Sequence, residues 1–236
     1  MASGNEVLPD LTFNTPLVVL GGGFVDEAVL LQLVARGYPV VAADGAAHTA
    51  IAAKVPLAAI IGDMDSYVAD AALSEETLLV EVTEQATTDF EKCLYKTDAP
   101  LYICLGMIGK RFDHSLAALH AAQKYGSEKH LILMDETDVI GVVRGEVSFR
   151  LPVGTRVSIY PLSPIQMRQS AGLHYPLDGL TLAQGTLIGT SNCATHEQVK
   201  IVPDNGEYSP YLVILPNRYL DSLIEIEMND VSATSL

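Results

Sequence analysis

The sequence predicts an α/β domain built on a parallel sheet, followed by an all-β domain. In the first 144 residues, short and continuously apolar runs alternate with segments of helical character. After that point, glycine and proline divide the chain into short pieces with strand character. Continuous apolar runs are typical of strands covered on both faces, and their alternation with helices is typical of parallel sheets with right-handed crossovers.

The first domain is predicted at residues 15–144. Its predicted strands are the apolar runs Leu17–Leu20, Val40–Ala43, Ala58–Ile61, Leu78–Val82, Leu101–Leu105 and Leu131–Met134. The segments between them that are predicted as helices are Val25–Ala35, Ala46–Ala53, Asp89–Tyr95 and His114–Tyr125.

The second domain is predicted at residues 145–230, as a small antiparallel sandwich. Short strands separated by frequent turn residues are typical of that architecture. The predicted strands are Val147–Leu151, Arg156–Tyr160, Thr186–Gly189, Gln198–Ile201 and Tyr211–Leu215.

The charge of the chain excludes several kinds of partner. Its 14 basic and 29 acidic residues give a formal net charge of −15. Such a field repels nucleic acids and anionic membranes, so neither is expected as a partner. No run reaches the roughly 18 apolar residues that a membrane helix needs, and the N-terminus lacks the pattern of an export signal. We therefore expect a soluble cytoplasmic protein.

Two of the polar clusters that follow the apolar runs permit either a structural or a ligand-binding role. Gly21, Gly22 and Gly23 follow the first run, and glycines at a helix start let backbone N–H groups approach a phosphate. The cluster lacks the full spacing of a nucleotide-binding loop, so a tight turn without a ligand is an equal alternative. Asp44 follows the second run, where it either caps a helix or contacts a nucleotide or metal.

A pair of acids follows the third apolar run. Asp63 and Asp65 are one residue apart and repel each other unless a cation or a proton lies between them. Mg²⁺ prefers carboxylate and water oxygens and completes its ligand shell with substrate phosphates. The pair therefore indicates a magnesium site, although acidic turns are also common on protein surfaces.

The remaining clusters combine acids with cations. Thr88 and Glu91 have the spacing of a capping box, and Asp89 and Lys92 lie three residues apart on one helical face. These residues suit ATP chemistry, or they only start a helix and form an ion pair. In a later glycine turn, Lys110 and Arg111 offer a point charge and a guanidinium fork to a polyphosphate.

Together these segments resemble the thiamine pyrophosphokinase family over nearly the whole chain, from about Leu17 to Leu215. The first half contains ADGAAH, GDMDS, EQATTDFEKCL and GKRFDH in the order of the family's motifs. The second half contains GLHYPLDGLTL and GTSNCATHEQVKI, which are similar to two further family segments. Each motif alone is modestly specific, whereas six in the right order identify the chain as similar to this family.

The resemblance implies a Rossmann-like α/β catalytic domain followed by a β-sandwich, working as a homodimer with its active site between subunits. It also implies Mg²⁺ as cofactor and ATP and thiamine as substrates. The implied metal ligands are Asp63, Asp65 and Asp89. The implied catalytic residues are Asp89, Asp65, Lys92 and Arg111. The implied nucleotide-side residues are Gly21, Gly22, Asp44, Gln85, Thr88 and Asp113. Beside thiamine, the resemblance implies Thr190, Ser191 and Asn192, contributed by the partner subunit.

The sequence also departs from the family pattern at several positions. Ala46 stands in place of a glycine, His48 of an asparagine and Lys110 of a glycine, while Cys193 replaces a glutamate. The acids of the metal type and the TDxxK motif are intact.

The function expected from these residues is transfer of the diphosphate of ATP to the thiamine hydroxyl, with release of AMP. One alternative is a sensor that kept the pocket and lost the chemistry, although a binder needs no such density of acids. An NAD-dependent oxidoreductase is a second alternative, but it requires a GxGxxG spacing that the chain lacks. A third is a metal-dependent phosphatase, which would release inorganic phosphate instead of AMP.

Overall fold

The structure is a computed structural model that describes residues 11–65, 73–204 and 209–234. The chain divides after Ala118 into two units. Ser66, the last residue of the GDMDS motif, lies outside the described residues. No helix in the described part of the chain is both long and apolar enough to cross a membrane.

The first unit is built on a sheet of five parallel strands, beside which a separate pair of short strands is present. Its strands are β1 (Leu11–Thr12), β2 (Leu17–Leu20), β3 (Val40–Ala43), β4 (Ala59–Gly62), β5 (Leu78–Glu81), β6 (Thr97–Asp98) and β7 (Tyr102–Leu105). The order in the sheet is β7-β2-β3-β4-β5, and every neighbouring pair is parallel. β1 and β6 form a separate parallel pair. Every residue of β2, β4 and β7 is buried, as their continuous apolar sequences predict.

Helices follow or separate these strands. They are α1 (Glu27–Ala35), α2 (Ala47–Ala52), α3 (Asp89–Lys96) and α4 (Phe112–Tyr125). The side chain of Asp26 caps α1, and Thr88 and Glu91 form the predicted capping box at the start of α3. A 3₁₀ turn at Asp44–Ala46 joins β3 to α2. These caps satisfy backbone N–H groups that a helix start would otherwise leave without partners.

The second unit is built mainly from antiparallel strands. These are β8 (Leu131–Met134), β9 (Asp138–Val143), β10 (Val147–Arg150), β11 (Arg156–Pro161), β12 (Ile165–Ala171), β13 (Thr181–Leu182), β14 (Gly189–Cys193), β15 (Gln198–Pro203) and β16 (Tyr211–Pro216). One group has the order β14-β11-β16-β9-β8, and a four-stranded sheet has the order β10-β15-β12-β13. A C-terminal helix, α5 (Leu220–Thr234), contacts β8, β9 and β10.

The structure differs from the sequence prediction in three elements. The prediction did not contain β9, which pairs antiparallel with β8. The second domain was predicted to be all-β, whereas α5 is a helix of 15 residues. The segment Thr186–Gly189 was predicted as a strand, but the strand begins at Gly189 and ends at Cys193. The mixed α/β class is confirmed, and the domain boundary near residue 145 stays a prediction.

Candidate active site

A pocket of about 520 Å³ opens at the carboxyl ends of the parallel strands in the first unit. Segments that follow β2, β3, β4 and β7 line it, together with the start of α3 and part of α4. In open parallel sheets, ligands bind at this edge because loops and helix starts meet there. Its polar and charged side chains are Asp44, Asp63, Gln85, Thr87, Thr88, Asp89, Lys92, Lys110, Arg111 and His114.

Two glycine turns form one wall of the pocket. The N–H of Gly21 donates to the carbonyl of Leu105, and the N–H of Gly23 donates to the carbonyl of Gly106, both at 2.8 Å. A side chain at Gly21 would place its Cβ 2.6 Å from the carbonyl oxygen of Gly106. These glycines therefore permit close backbone packing. The contact of Gly21 and Gly22 with a nucleotide stays a prediction.

Three carboxylates converge, of which Asp44 and Asp63 line the pocket and Asp65 is not among its lining residues. Asp44, Asp63 and Asp65 each offer an oxygen, and these oxygens all lie within 4.8 Å of one another. Asp44 is buried, whereas Asp65 is exposed. Asp89, which the resemblance implies as a metal ligand, does not belong to this cluster. Of the three implied ligands, the cluster contains Asp63 and Asp65, and Asp44 is its third member.

The close approach of Asp44 and Asp63 depends on Gly62, the last residue of β4. A Cβ at Gly62 would lie 2.6 Å from the Cβ of Asp44. The parallel register explains this contact, because Ala43 at the end of β3 pairs with Ile61 in β4. Asp44 has a φ of 40° and Met64 a φ of 61°, both in the left-handed region. Non-glycine residues rarely adopt that region, and such strain is common at functional sites.

Asp63 is held by groups from three segments. Its Oδ2 accepts a hydrogen bond from Nε2 of Gln85 at 2.7 Å, and its Oδ1 accepts one from the N–H of Asp65 at 3.3 Å. The Nζ of Lys92 lies 3.8 Å from the same Oδ2. The hydrogen bond from Gln85, followed by that from the Asp65 backbone, lowers the pKa of Asp63. Asp63 is therefore held in its ionised form, the form that binds a cation.

Lys92 links Asp63 to Asp89 beneath the pocket. Its side chain is 2% exposed, and its Nζ donates to Oδ1 of Asp89 at 2.9 Å. Burial alone would lower the pKa of Lys92, but the hydrogen bond and charge of Asp89, with the charges of Asp63 and Glu84, outweigh it and raise the pKa. The ion pair that the spacing of Asp89 and Lys92 permitted is therefore present. It holds a permanent positive charge at the floor of the pocket.

The three-carboxylate cluster has the donor set that suits Mg²⁺. This ion takes oxygen ligands at about 2.1 Å, so two ligands of one ion lie at most roughly 4.2 Å apart. The oxygens of Asp44, Asp63 and Asp65 lie within 4.8 Å, which small side-chain rotations would reduce to that value. The left-handed turn at Met64 and the register of β3 and β4 bring the acids together from separate segments. The residues therefore fit a divalent cation.

The cations of the glycine turn before α4 are more exposed. Arg111 and Asp113 form two hydrogen bonds, from Nε to Oδ1 at 3.1 Å and from Nη2 to Oδ2 at 2.5 Å, and both side chains are exposed. The hydrogen bond that Arg111 donates to Asp113 raises the pKa of Arg111. Arg111 and Lys110 line the pocket, while Asp113 is not among the lining residues. Asp113 therefore contacts Arg111 and not the pocket itself.

The residues predicted beside thiamine lie in the second unit, on β14. Thr190 and Ser191 are exposed, and Ser191 has a φ of 58°. Asn192 is buried, where its Nδ2 donates to the carbonyl of Tyr175 at 2.7 Å and its Oδ1 accepts from the N–H of Tyr175 at 2.9 Å. Asn192 thus fixes the backbone of an exposed tyrosine, a structural role that sequence reasoning did not anticipate.

The positions that depart from the family pattern differ in whether they line the pocket. Ala46 and Lys110 line the pocket, whereas His48 is exposed on α2 and is not among the lining residues. Sequence reasoning also missed Glu84, which accepts hydrogen bonds from the loop before α3. Acidic side chains that accept hydrogen bonds from backbone N–H groups two or three residues later are common in turns, so this pattern does not distinguish a functional loop.

Two family models match the chain, one in each half. The model described as "Thiamin pyrophosphokinase, catalytic domain" matches residues 30–134. The model described as "Thiamin pyrophosphokinase, vitamin B1 binding domain" matches residues 145–207. Together the two matches cover more than two thirds of the chain.

The curated relatives that match the chain carry the same family name. The chain is 27% identical over 164 residues to thiamine pyrophosphokinase 1 of rice, a match covering 62% of each protein. It is 27% identical over 155 residues to thiamin pyrophosphokinase 1 of Caenorhabditis elegans, covering 59% of this chain and 63% of the relative. The matches thus span less than two thirds of the length of these relatives.

The similar solved structures support the fold. The thiamin pyrophosphokinase from Candida albicans has a TM-score of 0.71 at 17% identity, covering 89% of this chain and 93% of that one. The enzyme from Geobacillus thermodenitrificans has a TM-score of 0.70 at 19% identity, covering 86% and 97%.

Proposed function

We propose that this chain, which belongs to the thiamin pyrophosphokinase family, transfers the diphosphate of ATP to the hydroxyl of thiamine and releases AMP. The observation that carries the proposal is the convergence of Asp44, Asp63 and Asp65, of which Asp44 and Asp63 line the pocket together with the buried Lys92. A cluster of acids next to a fixed cation suits a metal-bound polyphosphate. The match to both domain models supports thiamine as the acceptor.

The three-carboxylate cluster is proposed as the magnesium site. When bound, Mg²⁺ would offset the negative charge of the triphosphate oxygens. Asp63 is kept ionised for this role by Gln85, and the absence of a side chain at Gly62 leaves room for Asp44.

The remaining groups of the pocket position and neutralise the substrates. In the proposed reaction, the thiamine hydroxyl oxygen bonds to the β-phosphorus while the bond from that phosphorus to the oxygen of the α-phosphate breaks, and AMP leaves with this oxygen. Lys92, Lys110 and Arg111 offset charge on the phosphate oxygens. We assign Asp89 as the acceptor of the hydroxyl proton, because it lines the pocket and stands outside the three-carboxylate cluster.

The second unit is proposed to bind thiamine through Thr190, Ser191 and Asn192. The family model over residues 145–207 and the exposure of Thr190 and Ser191 support this assignment. We further propose a Rossmann-like domain followed by a β-sandwich, a homodimer whose partner subunit supplies the thiamine-side residues, and a cytoplasmic location. Sedimentation of the purified chain tests the dimer.

The function is tested by following product formation from thiamine, ATP and Mg²⁺. Wild-type protein should form thiamine diphosphate and AMP in equal amounts, and Asp65→Asn should lose most of the turnover while its thermal unfolding is unchanged, because Asp65 is exposed. Asp26→Asn is the matched control, since asparagine also caps α1 and Asp26 is not among the pocket residues.

Three outcomes would contradict the assignment. Binding of thiamine without turnover would favour a sensor. Release of inorganic phosphate in place of AMP would indicate a phosphatase. Normal turnover in Asp65→Asn would remove this residue from the metal site.

A further inference from the structure

The carboxylate of Glu84 is the centre of a hydrogen-bond network beside the pocket. Its Oε2 accepts from the N–H of Ala86 at 2.7 Å and from the N–H of Thr87 at 3.2 Å. Its Oε1 accepts from the hydroxyl of Tyr95 at 2.9 Å and from the hydroxyl of Thr87. Four donors on one exposed side chain are unusual, because water competes for such bonds and an exposed glutamate gains little from them.

This network joins the loop before α3 to the body of that helix. Glu84, Ala86 and Thr87 belong to the loop, whereas Tyr95 lies in the last turn of α3. The loop carries Gln85, which donates to Asp63, and it ends at the cap of α3, the helix that carries Asp89 and Lys92. Glu84 thus fixes the segment from which Gln85 reaches the acid cluster.

We propose that Glu84 is a positioning residue, which holds the 84–88 loop against α3 so that the amide of Gln85 stays on Asp63. The expected effect of Glu84 on catalysis rests on the proposed function. Its expected effect on the loop rests on the hydrogen bonds alone. Glu84 is not among the residues lining the pocket, so it acts through Gln85 and not by contact with a substrate.

The length and charge of the side chain both matter to this role. An aspartate at position 84 retains a carboxylate that can reach the N–H two residues on, but it is one methylene too short to reach Tyr95 as well. The hydrogen bond from Thr87 is the main cause that lowers the pKa of Glu84 to about 2, so the acceptor stays charged throughout the usual range of assay pH. The charge of Glu84 also contributes to raising the pKa of Lys92.

The loop is tested first without substrate, by hydrogen–deuterium exchange of the peptide that contains residues 84–88. Glu84→Ala should raise the exchange of the Ala86 and Thr87 amides several-fold, and Glu84→Asp should raise it less. Tyr95→Phe should resemble Glu84→Asp. Glu75→Ala is the control, because Glu75 is an exposed glutamate of the same unit outside the network. Unchanged exchange in Glu84→Ala would overturn the proposal.

Catalysis is tested with a double-mutant cycle on kcat/KM. We expect Glu84→Ala to lower kcat/KM about tenfold, since loss of positioning at a reacting centre has effects of this size or larger. If Glu84 acts through Gln85, the double variant Glu84→Ala/Gln85→Ala should match Gln85→Ala within about twofold. Effects that multiply would show that Glu84 acts independently of Gln85 and would overturn the positioning role. A wild-type protein without turnover would refute the proposed function, while the exchange experiment would still decide the role of Glu84 in the loop.

Discussion

Replacing Gly62 with alanine would displace Asp44 from Asp63, whose carboxylate oxygens now lie within 4.8 Å of each other. The new Cβ would lie 2.6 Å from the Cβ of Asp44 and 3.2 Å from its Cα. Ordinary contacts begin at 3.4 Å, so Asp44 must move by 3.4 − 2.6, or 0.8 Å. Rotation about χ1 cannot relieve this contact, because the Cβ and Cα positions are set by the backbone. Overpacking of this kind costs about 1–3 kcal/mol of unfolding free energy.

Both stability and activity should therefore fall. A loss of about 1–3 kcal/mol lowers the melting temperature by roughly 2–12 °C for a chain of this size. A misplacement near 1 Å at a reacting centre can cost about a hundredfold, so we expect kcat/KM for ATP to fall by about 10- to 100-fold.

The measurements are thermal unfolding followed by circular dichroism and AMP formation at varied ATP. Gly22→Ala is the control for unfolding, because a Cβ at Gly22 meets nothing within 4 Å. A Gly62→Ala protein with the stability and turnover of the wild type would refute the argument that this glycine is required to bring Asp44 to Asp63.

Three further changes test other parts of the structure. Lys92→Met should reduce thiamine diphosphate formation by about a hundredfold, since it removes a charge-assisted contact and the fixed cation of the pocket; near-normal turnover would contradict its role. Glu227→Gln should flatten the pH dependence of the unfolding free energy. Burial raises the pKa of Glu227 in the folded protein above its ordinary value of 4.5, so the folded state holds a proton on this side chain at pH values where the unfolded state has lost it. The wild type therefore loses stability as the pH rises from 4.5 through the raised pKa. Urea denaturation from pH 4.5 upward measures this, and parallel wild-type and variant curves would contradict it. Asn192→Ala should lower the unfolding free energy by about 1–3 kcal/mol, because two backbone groups of Tyr175 lose their partners; an unchanged denaturation midpoint would refute that role.

The parallel strands could be predicted because their physical cause is local. β2 and β3 begin and end at the residues predicted from their apolar runs, and both are buried along nearly their whole length. β9 was not predicted, because Gly141 interrupts its apolar sequence. The pairing of β9 with β8 depends on a tight connection between the two strands, which composition does not reveal. α5 had a readable signal in Leu220, Leu223 and Ile224, which are buried at helical spacing. The buried Glu227 interrupts that apolar stripe one turn later.

The site was predictable in its residue types but not in its groupings. The spacing of Asp63 and Asp65 indicated a cation, and the spacing of Asp89 and Lys92 permitted the ion pair that is present. Sequence spacing cannot show that Asp44 joins the first pair, since that contact arises from the register of β3 against β4.

Under the proposed function, a chain with a net charge of −15 must bind a polyphosphate, and the arrangement of charges at the pocket bears on how it could do so. Several of its carboxylates accept hydrogen bonds nearby: Asp89 from Lys92, Asp113 from Arg111 and Glu84 from its loop. These pairs fix the cations and reduce the negative field that a triphosphate would meet at the pocket. Asp44, Asp63 and Asp65 form a group whose mutual repulsion a divalent cation would reduce. A divalent cation at the acid cluster would offset the negative charge of the nucleotide, so under the proposed function we expect ATP without Mg²⁺ to bind much more weakly than the Mg²⁺–ATP complex.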